Sequence, residues 1–575
     1  MKIFQVNLNS IINKFSTIIF ILGAFFVMEA QVNLSTNFVD SSHRKQPVYN
    51  VWQVANDISP KYEGDDDGPQ IRPDLKMNII RLSGGIKVAN NTKQENYDMV
   101  HWSEVANDYV YDFSRLMHVI DKADEHRDQI YQLVVDNVPW CFQRCYTFVD
   151  LDKNSYDGVH FRKFEEVEQY GNALPPCNLD EYGAYVMAFM QTLVDNYGME
   201  RVKTWRFRVG SEIESPGHWK GTAEDFVAYF DVSMRAIREI VPDAHVGIHT
   251  REPHYVAVSA KGLNYKGEQF LSFHNEIIEH CYTNNLHINS WGLSYYIQFD
   301  KAGEFSTNGK WYDERVAPLV NHPKWNHETE INIEEFKATS SFRSPDGRFA
   351  TLKAVSTHGE VAHIAMSNLF YKHPKMNQIH RWLQYKDVED DVANKELLAM
   401  VGKTRYESIV NGTPNNPSDL IDAIFVLDDK TNTYEALIYN YNDQSTDYGS
   451  NQSAKISFIV DFPVGSKVKY RNAYYSKPHN KLQCFKSEPY FKESFYIDGT
   501  NEGQKFGEAS RILKPEIYDN KYVKYNGHKK YAFGDWKYIT TKPRSDGAKK
   551  GSEITIDTNL DSFSFRKFEF RITEI

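Results

Sequence analysis

From about residue 77 the chain switches between two periodicities. Short apolar runs rich in β-branched residues alternate with stretches where apolar side chains recur every three or four positions. Asn78-Ile79-Ile80-Arg81-Leu82 reads as a strand ending in Ser83-Gly84-Gly85. Residues 109–113 read as a short strand, and the helix after them places Leu116, Ile120 and Ala123 on one face. Residues 129–135 form a buried strand that runs into Asp136-Asn137-Val138-Pro139-Trp140. A helix opens at Asp180, and Gly198 closes it. Strand 201–209 ends at Gly210-Ser211-Glu212, and Thr222 then caps a helix with acidic residues in its first turn. Strands are expected at 245–249, 288–293, 331–336 and 378–383, and helices at 271–281 and 354–371.

Roughly eight such strand–helix units predict an α/β fold with a parallel sheet. No glycine-rich phosphate loop follows the first strand, so a (β/α)8 TIM barrel is preferred over a doubly wound sheet. From about residue 402 the period falls to two, between Asp, Asn and Gly turns, which predicts an antiparallel β-sandwich. The expected division is a signal peptide over 1–30, a segment over 31–75 packing on the sandwich, a catalytic barrel over 76–390, and the β-sandwich region over 391–575. The signal reading rests on Lys2 and Lys14 and on the apolar run 15–28, which is short for a membrane span. Export to the periplasm or medium is therefore expected, with no span left after removal.

Composition narrows the function. The 575 residues carry a net charge of −11, which argues against a nucleic-acid partner. Aromatic residues make up 14% of the chain, which excludes a disordered polymer and supplies flat rings suited to sugars. The five cysteines exclude a disulfide framework, although two of Cys141, Cys145 and Cys177 could pair. Their spacing does not suit zinc. The acidic run 63–68 could offer oxygen ligands to Ca²⁺, but a solvated loop is preferred there. No metal and no organic cofactor is expected, and the oligomeric state is unreadable.

In a barrel of this kind the chemistry sits at the C-terminal strand ends. Glu212 ends the fourth expected strand and Glu335 the seventh. Only the fold can bring these two together. A pair of carboxyl groups is what glycoside hydrolysis requires, one to protonate the leaving oxygen and one to attack the sugar carbon.

Residues 110–140 resemble the second-helix and third-strand region of glycoside hydrolase family 39. Residues 180–247 resemble it more closely, and there Glu212 falls on the family's general acid/base. INIEEF (331–336) resembles the strand carrying the nucleophile, with Glu335 preferred over Glu334 because Glu-Phe parallels the family's Glu-Trp. HRWLQYKD (380–387) resembles the eighth strand, with Trp382 matching the floor of the sugar subsite. Arg81 matches an arginine near the nucleophile. The likeness implies a retaining clan A barrel glycosidase acting by double displacement.

Two departures bear on substrate. The family's Asn and Pro around the acid/base are Ser211 and Ile213 here. The sixth-strand His is absent from SWGLSYY, where Tyr295 or Tyr296 is expected to face the nucleophile. DNVPW, RVGSE and HWKGT also resemble family 86 agarases and porphyranases. The expected partner is therefore a polysaccharide or oligosaccharide, favouring a β-linked galactan. The alternatives are a family 39-like exo-β-xylosidase and a non-catalytic carbohydrate-binding protein. Trp140, Glu214, Trp219, His249 and Trp291 complete the expected substrate contacts, and Trp102 is a weaker candidate.

Overall fold

The computed structural model describes residues 31–55, 57–58, 77–81, 85, 98–124, 130–148, 160–161, 172–215, 217–251, 264–268, 273–298, 312–339, 357–373, 375–382, 392–442, 451–476, 479 and 531–574. The expected signal segment and the acidic run 63–68 lie outside these residues. The chain divides into two compact units. One comprises the described residues of Tyr49–Ala399. The other comprises those of Met1–Val48, Met400–Gln483 and Gly527–Ile575.

The first unit is a parallel barrel. Its strands are β2 (Trp52–Ala55), β3 (Asp57–Ile58), β4 (Met77–Arg81), β7 (Ile130–Val135), β10 (Arg206–Val209), β11 (His245–Thr250), β12 (Ser290–Gln298), β13 (Glu330–Thr339) and β14 (Met376–Trp382). Each pairs in parallel with its neighbour in space. Closure comes from residues 52–58: β2 pairs with β14, and β3, two residues on, pairs with β4. Residues 31–75 therefore do not all pack on the sandwich as expected. Residues 52–58 take the first barrel position, and the strand at 77–81 becomes the second. The two pieces of that first strand are too short to show a period of their own.

Residues 109–113 do not join the barrel either. β5 (Val100–Ser103) and β6 (Asp108–Tyr111) form a separate antiparallel hairpin. A short parallel pair, β8 (Thr147–Phe148) and β9 (His160–Phe161), lies in the next connection.

The helices form where periodicity and caps agree. Asn178 accepts from the amides of Asp180 and Glu181 to open the helix Leu179–Tyr197, and Gly198 closes it at φ 81°. Thr222 and Asp225 make a reciprocal capping box at the start of Ala223–Ile240. The outer faces of the strands are apolar: Phe207 and Val209, Trp291 and Leu293, Ile331 and Ile333 are all buried.

The inner faces are unusually polar for a barrel filled as a rule by branched apolar side chains. Arg206 meets Glu330 at 3.1 Å, and Asn377 donates to the same carboxylate. One layer further along lie Gln132, Arg208 and Glu334. Small residues on β12 make room for them: a Cβ on Gly292 would stand 2.2 Å from Glu334 Cγ.

The second unit is a β-sandwich. One sheet runs β16 (Ile409–Asn411), β1 (Val32–Asn37), β19 (Gln452–Val460), β22 (Ser552–Leu560). The other runs β15 (Thr404–Tyr406), β17 (Asp419–Asp428), β18 (Thr433–Asn442), β23 (Ser564–Glu574), β20 (Lys467–Tyr475), β21 (Lys537–Thr540). Alternate residues such as Val32, Leu34, Ile456 and Phe458 face Ala423, Phe425, Ala436 and Phe570 across the core.

Candidate active site

β10 leaves the barrel through a turn with two left-handed residues, Gly210 at φ 75° and Glu212 at φ 44°. A Cβ at Gly210 would lie 2.6 Å from Ile213, so glycine is required there. Glu212 bears its positive φ as a non-glycine residue, the kind of local strain that gathers at functional sites. The amide of Ser215 donates to Glu212 O, and those of His218 and Trp219 donate to Ser215 O. This fold-back brings His218 Nε2 to 3.6 Å from Glu212 Oε2.

Glu335 reaches the same end of the barrel by a β-bulge. Leu293 pairs with Ile333, but the next residue, Ser294, pairs with Glu335. On the other side Ile333 pairs with Ile379 and Phe336 with Arg381. Glu334 is therefore an extra residue with respect to both neighbouring strands. Simple alternation would send one of Glu334 and Glu335 away from the axis. The bulge breaks that alternation. Ser294 shares its side of the sheet with its register partner Glu335, and Phe336 packs outward against Trp52 and His363.

The two glutamates then differ in surroundings. Glu334 Oε2 accepts from Gln132 at 2.7 Å and from Arg208 at 3.2 Å, and His380 Nδ1 approaches it at 3.1 Å. The last is a close approach without hydrogen-bond geometry. Burial alone would raise the Glu334 pKa. His380 and Arg208 outweigh it and hold the carboxyl well below its ordinary range. Glu334 is an ionised group inside the barrel, with Gln132, Arg208 and His380 gathered on its Oε2.

Arg208 links this centre to the turn that carries Glu212, with Nη2 lying 3.4 Å from Ser211 Oγ. Ser211 Oγ meets His249 Nδ1 at 3.3 Å, and His249 Nε2 meets Ser294 Oγ at 2.9 Å. Ser211 and His249, expected to touch substrate, are buried members of this chain. Glu214 is also buried, its Oε2 accepting from the amide of Arg251 at 2.7 Å. Burial raises its pKa to about 8, the Arg251 amide working the other way and Glu212 adding to the rise.

Trp140, Trp219 and Trp291 are buried packing residues in this structure. Trp140 is buried among the residues after β7. Trp219 donates to Thr222 O and packs on Phe226 and Tyr229. Trp291 is fully buried, bonded to Thr250 and packed on Trp325, on the outer face of the barrel. Tyr295 is buried on that outer face beside Phe336, opposite in direction to Ser294 and Glu335. Trp102 lies on the hairpin with the Arg144 guanidinium 4.1 Å over its ring. The side chains of Arg81, Tyr296 and Trp382 lie outside the described residues; their backbones end β4, continue β12 and end β14.

Gln132, Arg208, His218 and His380 escaped sequence reasoning. The signal for Arg208 was present: arginines at 206 and 208 alternate with apolar residues on a buried strand, which points charge inward. No group of three or more metal-ligating side chains occurs among the described residues.

A closed parallel barrel with two glutamates at its C-terminal rim, followed by a β-sandwich, is the architecture of a barrel glycosidase. Residues 165–341 match glycosyl hydrolases family 39. The chain is 30% identical to an alpha-1,4-L-rhamnosidase of Formosa agariphila, covering 82% of this chain and 90% of that protein. It is 25% identical to a beta-xylosidase of Geobacillus stearothermophilus over 18% of this chain and 23% of that one. A solved family 39 enzyme from Xanthomonas axonopodis pv. citri superposes with a TM-score of 0.54 at 12% identity, covering 95% and 98% of the two chains. The chain belongs to glycosyl hydrolases family 39, and it is an O-glycosyl hydrolase.

Proposed function

We propose that the protein is a retaining glycosidase that releases L-rhamnose units from α-1,4-linked chains, with Glu335 as nucleophile and Glu212 as acid/base. One observation carries the substrate: likeness to an alpha-1,4-L-rhamnosidase over nine-tenths of that protein's length. Glu335 attacks the anomeric carbon while Glu212 gives its proton to the leaving oxygen. The glycosyl ester on Glu335 is then hydrolysed by a water that Glu212 deprotonates. This regenerates both groups.

The shorter likeness to a beta-xylosidase favours a β-xyloside as the second reading. The agar or porphyran galactan has only its local motifs, DNVPW and HWKGT, behind it; the relatives named above lend it no support. Purified protein assayed on α-L-rhamnosyl oligosaccharides, aryl β-xylosides, agarose and porphyran separates the three. Release of rhamnose with retained anomeric configuration, followed by NMR, is the expected result. Inversion would overturn the double displacement, and turnover of another glycan alone would overturn the substrate.

Export is part of the proposal. The N-terminal charge and apolar run support it, as does the disulfide Cys145–Cys177, a bond suited to an oxidising compartment. N-terminal sequencing of protein recovered from the cell exterior would test it, and an intact Met1 on protein confined to the cytoplasm would refute it.

A further inference from the structure

We propose that Arg208 and Glu334 act as a positioning pair that sets the two reacting carboxylates relative to each other. This inference rests on the roles given above to Glu212 and Glu335. Arg208 forks between the residues that immediately precede them. Its Nη1 lies 3.2 Å from Glu334 Oε2, and its Nη2 lies 3.4 Å from Ser211 Oγ. One guanidinium thus ties the acid/base turn to the nucleophile strand across the barrel. A second tie runs from Ser211 through His249 to Ser294, the register partner of Glu335. Both carboxylates are thus set through the residues that precede or pair with them.

Stability alone accounts poorly for this pair. Each side chain is 2% exposed, and an ion pair so buried is often no more stabilising than apolar residues of the same volume. Arg208 Nε, moreover, has no acceptor among the described residues. A buried donor left unmet is a standing cost that calls for a reason. Geometry is that reason, because a misplacement of about 1 Å between reacting groups lowers a rate by about 10²-fold.

The decisive variant is Arg208→Met/Glu334→Gln, which removes both charges and keeps a side-chain oxygen for Gln132. The expected result is a folded protein whose kcat falls about 10²-fold with KM within about threefold of the parent. Arg208→Lys keeps the charge but cannot fork, and an intermediate kcat is expected. A double variant that melts near the parent and retains its kcat would overturn the proposal, as would an Arg208→Lys enzyme equal to the parent. A double variant that fails to fold would show the pair to be structural, and would overturn it too. Glu212→Gln and Glu335→Gln are assayed in parallel. If these leave turnover unchanged, the catalytic assignment fails and the positioning role falls with it. If they abolish turnover while the double variant does not, only the positioning role falls.

Discussion

Ser294 and Glu335 are register partners on β12 and β13, while Glu334, one residue earlier, has no partner on β12. On the roles proposed above, that single extra residue decides which glutamate meets the sugar. Glu335→Ala assayed on an activated aryl glycoside should lose turnover to background, and added azide should restore it by giving a glycosyl azide of inverted configuration. Glu334→Ala should give no such product. Azide adduct formation by the Glu334 variant alone would reverse the two roles.

The acid/base should show the complementary behaviour. Glu212→Gln should lower kcat by about 10²–10⁴-fold on substrates with poor leaving groups. The loss should be much smaller with a leaving group that departs unprotonated. A uniform loss across leaving groups would exclude Glu212 as the proton donor.

Glu214 sets a pH dependence of stability. Its carboxyl is neutral up to about pH 8 in the folded chain, because burial opposes the charge. The folded state then holds a proton that the unfolded state has lost between the ordinary carboxylate pKa and about 8. Stability should therefore fall as pH rises through that window and level off above it, by up to roughly 4–5 kcal/mol. Glu214→Gln should remove this slope. Melting temperatures of both proteins from pH 5 to 9 test it, and parallel curves would refute the shift.

Gly292 tests the packing around Glu334. A methyl group there would stand 2.2 Å from Glu334 Cγ. Gly292→Ala should destabilise by about 1–3 kcal/mol, as overpacked cores do, and lower activity by displacing Glu334. Unchanged melting and turnover would show that the barrel interior yields more easily than described.

The disulfide Cys145–Cys177 closes a loop across 32 residues after β7. Chain-entropy reasoning assigns such a link about 3–4 kcal/mol. Cys145→Ser/Cys177→Ser should therefore melt well below the parent under oxidising conditions. Equal melting would mean that the loop is ordered without the bond.

Much of this was readable from local pattern. β7 and β11 announced themselves as apolar runs and β10 as apolar residues alternating with arginines up to Gly210, and Glu212 and Glu335 were legible as strand-end carboxylates. The illegible parts are those fixed by partners distant in sequence. β2 and β3 together offer too few residues for a period, and only pairing with β14 and β4 makes them one barrel position. The bulge at Glu334 likewise arises from simultaneous pairing with β12 and β14, so a rule of alternation applied to β13 alone misplaces one glutamate. Trp219 and Trp291 misled for a related reason: a tryptophan near a strand end looks the same in sequence whether it faces a ligand or a helix.

β1 pairs with β19, Val32 standing opposite Ala454. β1 thus precedes the barrel in sequence, while the other strands of its sheet, β16, β19 and β22, all follow it. At about 5–20 residues per second of synthesis, β1 waits roughly 20–85 s for β19. During that time its hydrogen-bonding edge is open while the barrel forms behind it. Slowing translation within the barrel-coding region lengthens that exposure, so the yield of soluble protein should track the time between the two strands rather than the stability of either unit.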